Sequence, residues 1–188
     1  MAAGLAGRKE FMEKRKKLSK SELIKRAKKI KLVLTDCDGV LTDTGVYYSM
    51  EGEAMKRFSI RDGMGIERLE NLINVETGFV TGEKTNTVKS RAKKLKIKEV
   101  HLGIQNKPAV FYEIMKRRKL KAEEIAYIGD DTNDVEIMKL AGLTACPADA
   151  TKFARDVADF VTANKGGNGA FRDLAELIIE AQSKKIKG

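Results

Sequence analysis

From residue 31 onward, short apolar runs alternate with segments of helical spacing. Strands are predicted at 31–35, 75–80, 99–102, 125–128, 144–146 and 160–161, and helices at 66–72, 86–95, 108–118, 134–141 and 170–181. Alternation at this spacing is typical of a parallel sheet with helices on both faces. The predicted fold class is therefore α/β, with a Rossmann-like, doubly wound and mostly parallel sheet. Aromatic and β-branched residues between 46 and 60 surround a turn at 51–53, which predicts an added β-hairpin.

Three of the predicted strands end at polar residues, namely Asp36, Thr81 and Asp130. In open parallel sheets, ligands bind beyond the carboxyl ends of the strands, at the point where the strand order reverses. Polar residues at three strand ends therefore predict a functional site at this edge of the sheet.

Carboxylates are the densest group of candidate functional side chains: Asp36, Asp38, Asp130, Asp131 and Asp134. The single histidine, His101, lies in no polar cluster, so Ser-His-Asp, Cys-His and His-rich zinc sites are poorly supported. Clustered carboxylates repel one another, and oxygen-only ligands favour Mg²⁺ as the cation that holds them together. With Mg²⁺ bound, one carboxylate can attack phosphorus. Taken alone, Asp36-Cys37-Asp38-Gly39 could also be a capped turn or a fragment of a calcium loop.

The net charge of +10 is concentrated at the N-terminus. Residues 1–31 hold 12 Lys and Arg against 3 Asp and Glu, so the rest of the chain is nearly neutral. We interpret residues 1–29 as a basic, partly helical or flexible extension, residues 30–182 as one domain and residues 183–188 as a tail. Nucleic-acid binding would favour a basic face with aromatics on the domain, so it is not expected, although the extension leaves it as an alternative.

The remaining composition favours a cytoplasmic protein. No apolar run approaches the roughly 20 residues that span a bilayer, and the lysine-rich N-terminus does not look like a secretory signal. Cys37 and Cys146 give no disulfide framework.

Four motifs in order resemble those of the haloacid dehalogenase-like phosphatases, over residues 31 to about 180. They are Asp36-Cys37-Asp38-Gly39-Val40, Thr81-Gly82, Lys107, and Gly129-Asp130-Asp131-Thr132-Asn133-Asp134. The resemblance implies Asp36 as the nucleophile and Asp38 as the general acid and base. It also implies Mg²⁺ held by Asp36, the Asp38 main-chain carbonyl and Asp130.

The same resemblance assigns the other site residues. Asp131 and Asp134 would lie next to the metal ligands, Thr81 and Gly82 would bind the phosphoryl group, and Lys107 would neutralise it and orient Asp36. Only 41 residues separate Gly39 from Thr81 and 22 separate Lys107 from Asp130, so no cap domain is expected.

A finer resemblance is to the capless, tetrameric phosphatases of 3-deoxy-2-ulosonate phosphates. It rests on the stretches DCDGVLTD (36–43), FSIRDGMGI (58–66), TGEK (81–84) and GGNGAFRD (166–173). It implies a small anionic sugar phosphate as substrate, either an octulosonate 8-phosphate or a nine-carbon, sialic-acid-like 9-phosphate. It also implies a homotetramer in which a neighbouring subunit helps to close the site.

The length of the substrate stays open. Glu83 and Asn168 stand where octulosonate enzymes typically have arginine, and Glu83 with Arg91 and Lys94 resembles the nine-carbon branch, which is slightly favoured. Residues 56–66 look octulosonate-like, and Arg61 in that stretch is a further candidate substrate-binding residue. A noncatalytic assembly module, like those fused to cytidylyltransferases, is the alternative; it should have lost catalytic groups that this chain retains.

Overall fold

The computed structural model describes residues 18–183, which form a central parallel sheet, a separate hairpin, seven α-helices and two short 3-10 helices. The strands are β1 (Leu32–Thr35), β2 (Thr42–Ser49), β3 (Gly52–Phe58), β4 (Glu76–Val80), β5 (Glu99–His101), β6 (Ile125–Ile128), β7 (Leu143–Cys146) and β8 (Phe160–Val161). The helices are α1 (Lys20–Ala27), α2 (Ile60–Ile73), α3 (Asn86–Lys94), α4 (Lys107–Arg118), α5 (Val135–Leu140), α6 (Lys152–Val157) and α7 (Ala170–Ser183).

The central sheet has the order β5-β4-β1-β6-β7-β8, and every neighbouring pair is parallel. The chain moves outward from β1 through β4 to β5, then returns to pair β6 with the other side of β1. The order therefore reverses beside β1, and a crevice at its carboxyl end is the expected ligand site. The predicted fold class is confirmed.

Side chains of alternate residues in the buried strands pack into two hydrophobic cores, one on each face of the sheet. Val33 of β1 packs with α1, α2, α3 and α7, whereas Leu32 and Leu34 pack with α4, α5 and α6. Strands that are buried on both faces need continuous apolar runs, which explains why the sequence pattern was easy to interpret there.

The hairpin β2–β3 is antiparallel and follows the first motif, as predicted. The interval from Gly39 to Thr81 holds the hairpin, α2 and β4, and the interval from Lys107 to Asp130 holds α4, a short 3-10 helix and β6. Neither interval contains a further domain, so the expected absence of a cap is confirmed for residues 18–183.

Helix α2 begins six residues before its predicted start at Ile66. Ser59 caps it by accepting hydrogen bonds from the backbone N–H groups of Arg61 and Asp62. Gly63 and Gly65 hide the start in the sequence because glycine weakens a helical pattern. A Cβ on Gly65 would lie 3.1 Å from the Arg172 Cα, so the small residue permits close packing against α7. The prediction also missed α6, which is only six residues long.

Helix α1 lies within the segment interpreted as an extension. Its Ala27 is fully buried in the core, and Arg26 forms an ion pair of 3.1 Å with Asp159. Residues 1–17 and 184–188 lie outside the described residues, and the domain boundaries stay a prediction. Within residues 18–183, no helix is long and apolar enough to cross a membrane.

We expect Asp62→Ala to lower the free energy of unfolding by about 2 kcal/mol. The buried Asp62 carboxylate accepts hydrogen bonds of 3.1 Å from the backbone N–H groups of Gly169 and Arg172, which open helix α7. The substitution leaves these donors without partners. Denaturant unfolding measures the loss, and Glu180→Ala on the exposed face of α7 is the matched control. A loss equal to that of Glu180→Ala would contradict the capping role.

Candidate active site

The carboxyl ends of β1 and β6 lie side by side, which brings the first and fourth motifs together. Thr35 is level with Ile128, and the Asp36 N–H donates to the Ile128 carbonyl at 3.0 Å. Strand β4 pairs with β1 on its other side and ends one residue before Thr81. The three polar strand ends predicted from the sequence therefore share one edge of the sheet.

The Asp36 carboxylate is buried and held by two donors. Its Oδ1 accepts from the Cys37 N–H at 2.7 Å, and its Oδ2 lies 3.0 Å from the Lys107 ammonium. Burial and the nearby charge of Asp134 raise the pKa of Asp36 to about 7, against the opposing effect of Lys107. Only 4% of the residue is exposed, so the carboxylate has a fixed orientation.

Lys107 opens helix α4 and reaches the site through the interior. Asn106 caps this helix by accepting from the Ala109 N–H at 3.1 Å, which fixes where the lysine leaves the backbone. The ammonium lies 2.7 Å from Asp134 Oδ1, so one buried cation serves both Asp36 and Asp134. These charges raise the pKa of Lys107 although burial opposes them, which keeps it charged.

Asp134 is completely buried, and both its oxygens accept hydrogen bonds. Tyr127 donates to Oδ1 at 2.6 Å, and the Asp130 N–H donates to Oδ2 at 2.9 Å. Because its oxygens are occupied in this way, Asp134 orients Lys107 and the Asp130 backbone. Its predicted place beside the metal ligands rather than among them stays a prediction.

Asp36, Asp130 and Asp134 each bring a carboxylate oxygen within 4.8 Å of the others. Burial and the charges of Asp134, Asp36 and Asp131 raise the pKa of Asp130 to about 8. Such crowding is relieved by a bound cation, and carboxylate oxygens suit Mg²⁺. The residues present therefore fit a divalent metal ion.

Only glycine fits at position 39, because the Gly39 Cα lies against the Asp130 carboxylate. Its φ is +77°, and a Cβ there would lie 2.0 Å from Asp130 Oδ2. Two glycines from the loop before α7 pack on the same turn. A Cβ on Gly166 would lie 1.9 Å from the Gly39 carbonyl oxygen, and the Gly167 N–H donates to the Val40 carbonyl at 2.8 Å.

Asp38 is partly exposed at the mouth of the site and pairs with the hairpin. Its Oδ2 accepts from Lys56 at 2.8 Å, and its Oδ1 accepts from the Thr42 hydroxyl at 3.3 Å. Burial opposes the charge on Lys56, but the Asp38 bond and the charges of Asp38, Glu53 and Glu83 raise its pKa.

The remaining motif residues have simple local surroundings. Thr81 is buried, and its hydroxyl accepts from the Glu83 N–H at 3.1 Å, which shapes the turn containing Gly82. Asp131 is exposed and caps the 3-10 helix Thr132–Asp134 by accepting from the Thr132 N–H at 2.6 Å. Its negative charge contributes to the raised pKa of Asp130.

A cleft of about 450 Å³ lies between the hairpin and α3 and begins beside Asp38. Its lining includes Lys56, Arg91 and Lys94. The Arg91 guanidinium donates to the Ser59 carbonyl at 2.8 Å and lies 5.5 Å from the centre of the Phe58 ring. Arg91 thus secures the start of α2 as well as lining the cleft.

The other two candidate substrate-binding residues lie elsewhere. Glu83 is exposed in the turn after β4, close enough to influence the pKa of Lys56. Arg61 does not line the cleft beside Asp38. It lines a second cavity of about 370 Å³ with Arg57 and Asn168.

The sequence interpretation missed Lys56 and Tyr127. Tyr127 could have been found, because a hydroxyl in a buried strand three residues before Asp130 needs a polar partner. Nothing in the sequence distinguishes Lys56 from an exposed lysine on a hairpin.

Comparisons with known proteins identify the family of this chain. A family model described as haloacid dehalogenase-like hydrolase matches residues 97–173, which contain Lys107, Asp130 and Asp134. The 3-deoxy-D-manno-octulosonate 8-phosphate phosphatase of Haemophilus influenzae is 37% identical over 155 residues, 82% of this chain and 86% of that protein. The Escherichia coli K12 phosphatase of the same name is 36% identical over 164 residues, 87% of each.

Solved structures include the 3-deoxy-D-manno-octulosonate 8-phosphate phosphatase of Moraxella catarrhalis, in complex with magnesium, phosphate and the KDO molecule. It superposes with a TM-score of 0.85 at 32% identity, over 90% of this chain and 97% of that one. The Yersinia pestis phosphatase of the same name gives a TM-score of 0.83 at 36% identity, over 87% of this chain and 88% of that one. The chain therefore belongs to the haloacid dehalogenase-like phosphatases, in the capless group whose members include the 3-deoxy-D-manno-octulosonate 8-phosphate phosphatases.

Proposed function

We propose that the protein hydrolyses a 3-deoxy-2-ulosonate phosphate with Mg²⁺, through a phosphoryl group carried on Asp36. The supporting observation is the Asp36 carboxylate, which is buried at the end of β1 and fixed between the Cys37 N–H and the Lys107 ammonium. A preorganised carboxylate beside a cation can act as a nucleophile toward phosphorus.

The reaction proceeds in two displacements. In the first, an Asp36 oxygen bonds to phosphorus while the bond to the sugar oxygen breaks, and Asp38 gives that oxygen a proton. In the second, Asp38 takes a proton from water as the water oxygen bonds to phosphorus, which releases phosphate and restores Asp36. Mg²⁺, held by the Asp36 and Asp130 carboxylates and the Asp38 main-chain carbonyl, would offset charge on the phosphoryl oxygens.

The other motif residues position the phosphoryl group. Lys107 neutralises its charge and keeps Asp36 oriented, and Asp134 holds Lys107 in place at 2.7 Å. Thr81 and Gly82 donate to the phosphoryl oxygens from the end of β4. The exposed Asp131 supports this arrangement by capping the turn that carries Asp130.

Mg²⁺ is expected to raise the unfolding temperature more at pH 8 than at pH 6. The pKa values of Asp36 and Asp130 are raised from the ordinary value of 3.8 to about 7 and about 8. Between these pH values, the metal-free folded protein therefore binds more protons than the unfolded chain. Metal-free stability therefore falls as pH rises toward about 8, and Mg²⁺ offsets that loss. Thermal unfolding with EDTA or Mg²⁺ at both pH values measures the difference. An equal gain at both would contradict it.

The first candidate substrate is 3-deoxy-D-manno-octulosonate 8-phosphate. Relatives of that name cover most of the chain at 36–37% identity, and this supports the eight-carbon ester. The cationic cleft beside Asp38 has the charge to receive an anionic sugar, with Arg91 and Lys94 in its lining. Arg61 would act from the neighbouring cavity.

A nine-carbon, sialic-acid-like 9-phosphate is the second candidate, and Glu83 favours it. This residue is acidic and exposed at the turn after β4, where a carboxylate suits sugar hydroxyls better than a substrate carboxylate. We expect Glu83→Arg to lower kcat/KM for the nine-carbon ester more than for the eight-carbon ester. Steady-state assays of both esters provide the measurement, with Lys84→Glu as a neighbouring charge-change control. Equal effects on the two substrates would contradict the role of Glu83.

We further propose a cytoplasmic homotetramer in which a neighbouring subunit covers the hairpin. Three hairpin side chains support this: Tyr47, Tyr48 and Met55 are 60%, 75% and 59% exposed. Apolar side chains grouped on one element mark an interaction surface. Light scattering tests the assembly, and a fully active monomer would contradict it.

The test of the function is phosphate release with Mg²⁺ from octulosonate 8-phosphate, deoxynonulosonate 9-phosphate and N-acylneuraminate 9-phosphate. We expect strong preference for one ester, loss of release with EDTA and recovery with added Mg²⁺. Feeble release from all three would favour another substrate or the noncatalytic assembly module. Steeply salt-dependent retention of DNA or RNA, lost on deleting residues 1–17 so that helix α1 is kept, would instead support nucleic-acid association.

A further inference from the structure

Lys56 is an unusual hairpin residue because its side chain is buried against the active site. Only 1% of the side chain is exposed, whereas the following Arg57 side chain is 49% exposed. Its ammonium lies 2.8 Å from Asp38 Oδ2 and 3.4 Å from Glu53 Oε2. A lysine buried between two carboxylates has little freedom to move.

The position of the ammonium is also fixed from helix α3. Glu53 Oε1 accepts a hydrogen bond from the Thr87 hydroxyl at 3.1 Å. Thr87 in turn shares a hydrogen bond of 2.8 Å with the Thr85 hydroxyl. The chain of contacts runs from the start of α3 through Glu53 and Lys56 to Asp38, so two separate elements hold the lysine.

Asp38 is thereby held at both oxygens. Lys56 contacts Oδ2, and Thr42 donates to Oδ1 at 3.3 Å. These two contacts fix the orientation of the Asp38 carboxyl group. A general acid must be aimed at the leaving oxygen, since proton transfer needs a hydrogen-bonded geometry.

We propose that Lys56 is the positioning residue of Asp38, whose carboxyl group it aims at the leaving oxygen. The inference rests on the proposed function. When the phosphorus–oxygen bond breaks, its electron pair stays on the sugar oxygen, which takes the Asp38 proton. Asp36 then carries the phosphoryl group, and the Asp38 carboxylate remains paired with the Lys56 ammonium.

The test uses Lys56→Met and two esters of similar size and equal charge, phenyl phosphate and p-nitrophenyl phosphate. Phenolate is a poorer leaving group than p-nitrophenolate and needs protonation more. The ratio kcat/KM reports steps through the first displacement, where the proton is donated. We expect the variant to lose on the order of 10²-fold on phenyl phosphate and on the sugar phosphate, but only a few-fold on p-nitrophenyl phosphate.

Lys56→Arg should recover part of the loss on phenyl phosphate, because it retains a cation that can bond Asp38. Lys89→Met, an exposed lysine on α3, is the matched control and should change neither ester. A crystal structure of Lys56→Met should show the Asp38 carboxylate turned from its wild-type direction, a result independent of turnover.

Either of two kinetic outcomes would overturn the positioning role. Equal losses on both aryl esters would make Lys56 merely structural. A rise in KM for the sugar phosphate, with kcat and the aryl esters unchanged, would make it a substrate-binding residue. Wild-type protein that hydrolyses none of these esters would instead refute the proposed function. The positioning role is then still tested by the crystal structure of Lys56→Met, and an unmoved Asp38 carboxylate there would refute it.

Discussion

Asp36→Asn is expected to reduce phosphate release by a factor on the order of 10⁴ or more while the protein stays folded. The amide keeps the shape of the side chain but cannot bond to phosphorus as a carboxylate does. The fold should survive because the substitution also removes one negative charge from a crowded cluster with Asp130 and Asp134. That relief offsets the lost ion pair with Lys107.

Phosphate release and thermal unfolding measured on the same preparation give both halves of this prediction. Glu136→Gln on the exposed face of α5 is the matched control, because it also replaces a carboxylate by an amide but lies outside the site. Borohydride reduction of wild-type protein during turnover should convert Asp36 to homoserine, detected by mass spectrometry of its peptide. Turnover that survives in Asp36→Asn would exclude the phosphoryl-aspartate route.

Lys107→Met is expected to lower both activity and stability. The substitution leaves Asp36 and Asp134 buried without the cation that lies 3.0 Å and 2.7 Å from them. Removing one partner of a buried ion pair lowers the free energy of unfolding by about 3–5 kcal/mol. Losing a cation at the phosphoryl group lowers turnover by a factor on the order of 10²–10³.

Denaturant unfolding and steady-state assays measure these two losses. Lys116→Met on the exposed face of the same helix is the matched control and should change neither. Adding Mg²⁺ should recover part of the stability of Lys107→Met, because a cation again offsets the carboxylates. A variant as stable and as active as Lys116→Met would contradict the role assigned to Lys107.

The sequence could predict the sheet and the central carboxylates because both depend on local pattern. Buried strands are continuous apolar runs, and the residue that follows each run lies at the same edge of a parallel sheet. This reasoning located Asp36, Thr81 and Asp130 together. Lys107 could be assigned only through resemblance, since a lysine at a helix start is ordinarily exposed.

Contacts between distant elements could not be predicted. Lys56 reaches Asp38 only because the hairpin folds back over the first motif, and its register contains irregularities that no local pattern indicates. The early start of α2 was likewise hidden by Gly63 and Gly65, which the packing against Arg91 and α7 requires to be small. Arg61 and Arg91 belong to one candidate set, yet α2 and α3 direct them to different cavities.

The packing of Gly166 and Gly167 on the turn at Gly39 has a consequence for biosynthesis. The turn that carries Asp38 is supported by a loop encoded more than 120 residues later, and Asp62 of α2 holds the end of that loop by accepting from the Gly169 N–H. On the ribosome, Asp36 and Asp38 are therefore synthesised long before the loop that supports their turn. The enzyme should gain activity only after release of its last helix, and messages truncated before residue 166 should yield inactive protein.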